Sequence, residues 1–430
     1  MLLNNEQQRA LKFIEDNQNV FITGGAGVGK SFLINYYRQQ NADKNILVCA
    51  PTGVASINIG GSTLHRTFHI PVHLLMPNEP LVKYAEVSQM IRHVDIIIID
   101  EISMCRQDVF EYVCRYVYYE NKDRTTNKYR AGSTPIKMIL VGDFYQLPPV
   151  LNYKEKNLFR QLYGNEHGFA FQSNAWSMFN IQTFELKTVI RQKDKDFSEC
   201  LNCIRKNLNV DTDYINFNKS DHYIDDAIFL CSKNDQANDI NQQRLNELTS
   251  YERVFRMVKD GDINKIKPSD MCVPELITLK IGCRVMSVIN DPDDLYQNGS
   301  LGTVVGFDDD AVIVRFDNGS ECGIEEYTFD IIGYSLDSNK VLKNKIIASY
   351  TQMPLKLAYA ITIHKSQGQT YDAVNLDISN IFSDGQLYVA LSRCRSIQKT
   401  FFDGYLGNTK IKTSQTVFNY FETKHHSDYL

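Results

Sequence analysis

Apolar positions along the chain fall into short runs separated by longer amphipathic stretches. Val20–Thr23, Ile46–Ala50, Ile96–Ile99, Lys137–Val141 and Thr183–Leu186 are near-continuous apolar or β-branched runs, the pattern of strands buried on both faces. Several of the intervals between them have helical spacing, so residues 19 to about 186 predict a parallel sheet with crossover helices. A second set, Ala227–Cys231, Ile346–Tyr350, Leu357–Ile361 and Val374–Leu376, is followed by a helical stretch, Gln386–Arg395, and predicts a second α/β core. Between Leu279 and about Val341 the pattern changes. Cys283–Val288, Thr303–Phe307, Ala311–Phe316 and Ser320–Ile324 read as short strands, punctuated by Asn298-Gly299 and Asn318-Gly319, the chemistry of tight hairpins. They predict a small antiparallel β-barrel inserted in the second core. The expected division is 1–185 for the first core, 186–278 with 346–430 for the second, and 279–345 for the insert. The polar segment Asn121–Ser133 reads as a mobile loop.

With 430 residues, 43 % of them hydrophobic, the chain is long enough for two or three real cores. No apolar stretch approaches the length of a membrane span, and the opening MLLNNEQQRALKF lacks a signal-peptide layout, so a cytoplasmic protein is the expectation. Ten scattered cysteines fit reduced, buried thiols. Cys200-x-x-Cys203 is the one close pair and reads as a helix face rather than half a zinc site. A net charge of −5 argues against general coating of nucleic acid but leaves room for a local basic groove. The acidic runs Asp291–Asp294 and Asp308–Asp310 read as solvated loops.

Residues 24–31 read Gly-Gly-Ala-Gly-Val-Gly-Lys-Ser, between the apolar runs Val20–Ile22 and Phe32–Ile34. This is the strand–loop–helix of a phosphate-binding loop. Backbone N–H groups across Gly25, Ala26, Gly27, Val28 and Gly29 can turn inward onto phosphates. Lys30 can reach the β- and γ-phosphates, and the Ser31 hydroxyl can ligate Mg²⁺. The strand Ile96–Ile99 ends at Asp100-Glu101. There Asp100 can hold the Mg²⁺ through water, and Glu101 can orient or deprotonate an attacking water. Gln146, in LVGDFYQLPPV, follows another strand end and is placed to sense the γ-phosphate. Hydrolysis of a nucleoside triphosphate follows from this set.

Seven segments in order resemble the successive motifs of superfamily-one helicases. They are Gly24–Ser31, APTGVAS with GGSTLHRTF, IIIIDEISM, LVGDFYQLPPV, LKTVIRQ, AYAITIHKSQGQT and LYVALSRCRS. Their wording is most similar to the petite-integration-frequency (Pif) family, relatives of the RecD subunit, and the match runs from about Asn5 to Ser396. The resemblance implies two RecA-like parallel-sheet cores and the use of ATP with Mg²⁺. It also implies 5′→3′ movement on single-stranded DNA, unwinding of forked duplex DNA, and roles in DNA repair, recombination and telomere maintenance; activity as a monomer is the expectation, with oligomeric state left open by the sequence. Gln7 resembles the family's adenine-reading glutamine, with Gln8 its neighbouring alternative. Lys30, Ser31, Asp100, Glu101, Gln146 and Gly368 match the nucleotide site, and Arg191 and Arg393 match arginine fingers supplied by the second core.

The same resemblance places Pro51, Thr52, Gly53, His65, Phe68, His364, Lys365 and Ser366 along a groove for single-stranded DNA. Hydroxyl and basic groups there would grip phosphates while aromatic faces stack bases. His69–Pro80 contains three prolines, too many for a helix, and matches the position of a strand-splitting wedge. One departure is that Arg106–Glu120 keeps only a loose amphipathic helix where the family carries a recognisable signature. Competing readings are core packing for His65 and Phe68, and a surface ion pair for Arg393. For the whole chain they are a P-loop kinase or small-molecule NTPase, or a passive strand binder. Neither of the last two explains the intact motifs of the second core.

Overall fold

The computed structural model describes residues 3–427 apart from 128–132, 152, 193 and 267–270. Six parallel strands form the first sheet: β1 (Asn19–Gly24), β2 (Ile46–Ala50), β3 (Ser62–Thr63), β4 (Ile96–Ile99), β5 (Lys137–Val141) and β6 (Gln182–Leu186). Their order is β3-β2-β4-β5-β1-β6. Alternate side chains of this sheet enter different clusters. Val20 and Ile22 pack with Leu33 and Tyr37 of the helix Lys30–Gln40. Phe21, Ile97 and Leu140 pack with Phe110 and Trp176 on the other face. Burial on both faces is why these strands read as continuous apolar runs. Register places Ile22 beside Val141 and Ile99 beside Leu140. Gly24, Asp100 and Gly142 therefore emerge along one edge, the carboxyl edge where such sheets bind ligands.

The second parallel sheet has four strands in the order β18-β7-β19-β20. They are β7 (Ile228–Cys231), β18 (Ala360–Thr362), β19 (Val374–Leu376) and β20 (Thr400–Phe401). Between β7 and β18 all strands are antiparallel: β8 (Glu252–Arg256), β9 (Val258–Gly261), β10 (Leu276–Lys280), β11 (Arg284–Ser287), β12 (Leu301–Phe307), β13 (Ala311–Phe316), β14 (Glu321–Glu325), β15 (Tyr327–Leu336), β16 (Leu342–Gln352) and β17 (Leu355–Leu357). They form sheets ordered β14-β13-β12-β11-β17, β15-β16-β9 and β10-β8, sharing one apolar cluster that includes Phe255, Leu279, Val285, Val312, Ile331 and Tyr350. The fold is thus α/β with two parallel cores and a small antiparallel β domain between strands of the second.

Three local expectations change. Ile346–Tyr350 is not a strand of the second parallel sheet; it lies inside β16, antiparallel to β15 and β9. Its alternating burial pattern is that of a strand with one solvated face. Leu357–Ile361 divides between two sheets, since β17 pairs antiparallel with β11 while β18 pairs parallel with β7. The helix Gln107–Thr126 continues through the first half of the expected loop Asn121–Ser133, of which 128–132 fall outside the described residues. Arg124 holds that last turn by donating to Glu120 and to the carbonyls of Ile91 and Val94. Cys200 and Cys203 lie on one amphipathic helix, Lys195–Lys206, and both thiols are free.

The C-terminal helix Gln415–Ser427 returns to the first core. Val417 and Phe421 are buried in the cluster of Phe21 and Phe110, Trp176 donates to the Tyr420 hydroxyl at 3.0 Å, and Phe421 stacks on Tyr145. No helix among the described residues is long and apolar enough to cross a membrane.

Candidate active site and nucleic-acid groove

The loop after β1 is closed on itself. Gly24 has a φ of 141°, and a Cβ there would stand 2.3 Å from the Leu186 carbonyl oxygen, so only glycine fits. Gly29 takes a left-handed φ of 84° and starts the helix Lys30–Gln40. The Lys30 ammonium donates to the carbonyls of Gly24 and Gly25 at 2.8 and 3.0 Å. Burial lowers its pKa, and the carboxylates of Asp143, Glu101 and Asp100 oppose that. Gln7 is buried against the loop, its amide 3.5 Å from the Gly29 carbonyl, whereas Gln8 is exposed and turned to Leu3. The Gly27 carbonyl accepts from the N–H groups of Ile190 and Arg191, and the Ala26 N–H donates to the Tyr388 hydroxyl at 2.7 Å.

The carboxylates stand at the end of β4. Glu101 occupies left-handed backbone space, φ 50° and ψ 43°, a strained setting for a non-glycine residue. Burial and the neighbouring Asp100 push its pKa up to about 7, against the pull of Lys30 and Arg393. Asp100 is also shifted up by burial, opposed by the N–H of Glu101 that donates to it at 2.9 Å. Gln146 donates to Asp143 at 3.3 Å. Asp143 is fully buried and clamped by the Arg205 guanidinium at 2.9–3.2 Å, which also donates to Glu185 at 2.9 Å. Burial opposes charge on Arg205; Asp143, Tyr388 and Glu185 outweigh it and raise its pKa.

Of the two sequence-predicted arginines, Arg393 is buried and Arg191 half-buried. Arg191 donates to the Ser392 carbonyl at 3.2 Å, and burial, then the adjacent Arg393, lowers its pKa to about 9. Arg393 is 1 % exposed and, among the described residues, pairs with no carboxylate. It donates to the carbonyls of Val389, Ser366 and Gln369 and to the Ser392 hydroxyl. A surface ion pair is therefore excluded for it.

One cavity runs from Ser31, Asp100 and Glu101 past Gln367 and Gly368 to Thr52, His364 and Lys365. Thr52 caps the short helix Gly53–Asn58 through Ala55. Lys365 is exposed, and half-buried His364 has its pKa lowered by burial. Pro51, Gly53 and half-buried His65 lie outside the cavity's lining. Two expected DNA contacts are corrected. Phe68 is fully buried and packs on Tyr116 with ring centroids 5.8 Å apart, leaving no face for a base. Ser366 is also fully buried, its hydroxyl spent on the Ile363 carbonyl.

Among the described residues no cluster of three or more histidine, cysteine or carboxylate groups forms a metal cage. The Ser31 and Asp100 oxygens sharing one cavity nonetheless fit Mg²⁺, a hard cation that keeps several waters. A cation there would relieve the burial penalty on Asp100. Sequence reasoning missed Arg205, Tyr388 and Gln367. The last two lie inside quoted motifs and had a signal; Arg205, in an ordinary amphipathic helix, had none.

Two parallel sheets, with the phosphate loop of one closed over by residues of the other, define a two-core P-loop NTPase. The family model described as "PIF1-like helicase" matches residues 2–213. The ATP-dependent DNA helicase Pif1 of Campylobacter jejuni is 32 % identical over 94 % of both chains. The human ATP-dependent DNA helicase PIF1 is 33 % identical over 92 % of this chain and 60 % of its own. The chain belongs to the PIF1-like helicase family. Bacteroides sp Pif1 in complex with ADP-AlF4 superposes with a TM-score of 0.87 at 32 % identity, covering 100 % of this chain and 98 % of that one. Bacteroides Pif1 bound to ssDNA gives 0.70 at 33 % identity over the same shares.

Proposed function

We propose that this chain hydrolyses ATP to move 5′→3′ along single-stranded DNA and to part forked duplex DNA. The observation that carries the reading is the single cavity joining Ser31, Asp100 and Glu101 to Thr52, His364 and Lys365 across the two cores. Family membership favours it over a P-loop kinase. Lys30, Gln146, Arg191 and Arg393 would bear on the phosphates, Gln7 on the base, and Ser31 with Asp100 would hold Mg²⁺, which neutralises developing phosphate charge when bound.

In this reading Glu101 takes the proton of the attacking water. Its raised pKa suits a group that must accept a proton near neutral pH. Arg191 and Arg393 come from beyond β6, so they reach the phosphates only when the cores close. Closure then moves the groove residues His364 and Lys365 relative to Thr52, which turns hydrolysis into a step along the strand. The segment His69–Pro80, with Val72 and Met76 exposed, would serve as the wedge. The working division is a first core of about 1–185, a second core of 186–278 with 346–430, and an insert of 279–345 whose antiparallel context extends from β8 to β17. We place the protein in the cytoplasm, acting on DNA. A monomer suffices for stepping, although one related structure is of DNA unwinding at forked dsDNA by two coordinating Pif1 helicases.

The test is ATP turnover with and without single-stranded DNA, alongside unwinding of forks carrying only a 5′ or only a 3′ loading tail. Strong stimulation with 5′-tail preference is expected. Turnover indifferent to DNA would overturn the reading, and a 3′-tail preference would overturn its polarity.

A further inference from the structure

We propose that Gln367, from the second core, is a positioning residue that sets the Glu101 carboxylate for the attacking water and so ties hydrolysis to the DNA groove. The proposal rests on the reading of Glu101 as the base. Within the turn His364–Gly368, Gln367 reaches across to the first core. Its amide nitrogen donates to the Glu101 carboxylate at 2.9 Å and to the Gln146 carbonyl at 3.2 Å. One NH₂ group carries two hydrogens, so both acceptors can be held at once and fixed relative to each other. No other side chain among the described residues hydrogen-bonds that carboxylate. Gln146 is anchored in turn on Asp143, and Asp143 on Arg205.

The other end of the amide is unusual. Among the described residues, no group hydrogen-bonds the buried side-chain oxygen of Gln367. Gln367 itself lines the cavity shared with Ser31, Asp100 and Glu101. A buried acceptor left unpaired is unfavourable. A water donating to it and to Glu101 would satisfy it, and that water would stand beside the base.

The backbone around Gln367 is gripped from the second core. Arg393 donates to the carbonyls of Ser366 and Gln369, on either side of it. His364 and Lys365, in the same turn, line the groove. Gln367 therefore reaches Glu101 only while the second core stands against the first, and whatever occupies the groove acts on the same few residues.

The experiment compares Gln367→Ala and Gln367→Glu with the parent chain and with Glu101→Gln. It reads kcat and KM for ATP with saturating single-stranded DNA, strand affinity and melting temperature. General-base catalysis is typically worth about 10²–10⁴ in rate, so losing its alignment should lower kcat roughly 10–100-fold. KM and strand affinity should stay within about threefold, since Gln367 holds the base rather than a ligand. Gln367→Glu, which keeps the chain length but loses the amide donor, should lose at least as much kcat as Gln367→Ala. Unchanged kcat in Gln367→Ala, with Glu101→Gln inactive, would overturn the assignment of Gln367 alone. Loss of strand affinity and melting temperature together with kcat would overturn it in favour of a packing role. Normal turnover in Glu101→Gln would remove the base, and this proposal with it.

Discussion

At the scale of single residues, burial decides more than motif. Arg393 has the sequence context of an exposed helix residue, yet its guanidinium satisfies three carbonyls and a hydroxyl. Arg393→Ala should therefore lower both turnover and the melting temperature, because each orphaned buried group costs about 1–3 kcal/mol. Arg393→Lys keeps charge but loses the planar fork. It should spare more of the fold while, if Arg393 serves as the proposed finger, still losing much of the roughly 10³–10⁵ rate factor typical of arginine fingers. Thermal melts and turnover on one preparation separate the two effects. If Arg393→Lys kept full turnover, charge alone would suffice at this position.

Burial and the neighbouring Asp100 push the Glu101 pKa up from its ordinary 4.5 to about 7. The sign runs against the charged form. Below the unfolded value there is no penalty; the penalty grows as pH rises from about 4.5 to about 7 and is constant above. Turnover should rise through that upper value as the base deprotonates. Glu101→Gln, which never ionises, should melt higher than the parent at pH 8 and nearly level with it at pH 4. Equal melting differences at both pH values would contradict this.

At the scale of elements, the wedge candidate shows how strand and loop segments divide the labour. Val72 and Met76 are 66 % and 50 % exposed, but Leu75 between them is 2 % exposed. Its N–H donates to Asp108, and its carbonyl accepts from the Tyr163 hydroxyl at 3.0 Å. Replacing the whole segment would remove a core anchor, so the informative change is Val72→Ser with Met76→Ser. Unwinding per ATP should then fall several-fold while single-strand-stimulated turnover holds. Equal loss of both would place the segment in folding or grip, and no loss would move the wedge elsewhere.

What sequence could reveal follows the same division. The strands of the first sheet and the phosphate loop were legible because continuous apolar runs and fixed glycine spacings are local signals. Strand β16 was misplaced because membership of a sheet is decided by distant partners, β15 and β9, and not by its own composition. Phe68 and Ser366 sit in correctly recognised segments, but which side of a short turn faces the core is set by tertiary packing. Arg205 was invisible for the opposite reason, since its partner Asp143 lies 62 residues away in the chain.

At the scale of the molecule, a handful of contacts hold the two cores together. Arg205 on Asp143 is the most buried of them, with side chains 3 % and 0 % exposed. Arg205→Met should destabilise the chain by about 3–5 kcal/mol, because it strands a carboxylate in the interior. Adding Asp143→Leu should recover much of that loss, as replacing both charges is often neutral. Urea unfolding of the two single variants and the double variant measures the coupling, and strict additivity would argue that the pair does not act as a unit. The C-terminal helix, spanning back to Trp176 and Tyr145, is a further tie between the cores.

The contact between the Tyr388 hydroxyl and the Ala26 N–H bears on how the site is refilled. Loading ATP here is an exchange of partners. If this loop holds phosphate as proposed, a phosphate oxygen would take over an amide already satisfied by a phenol tethered to the opposite core, and departure of phosphate would hand that amide back. Tethering gives the phenol a high effective concentration. Inorganic phosphate and other small anions, which bring few further contacts, would then compete poorly against it, whereas a triphosphate that also engages Lys30 and its neighbours would win. Between cycles the loop would be screened by its own chain rather than left to whatever anion arrives first.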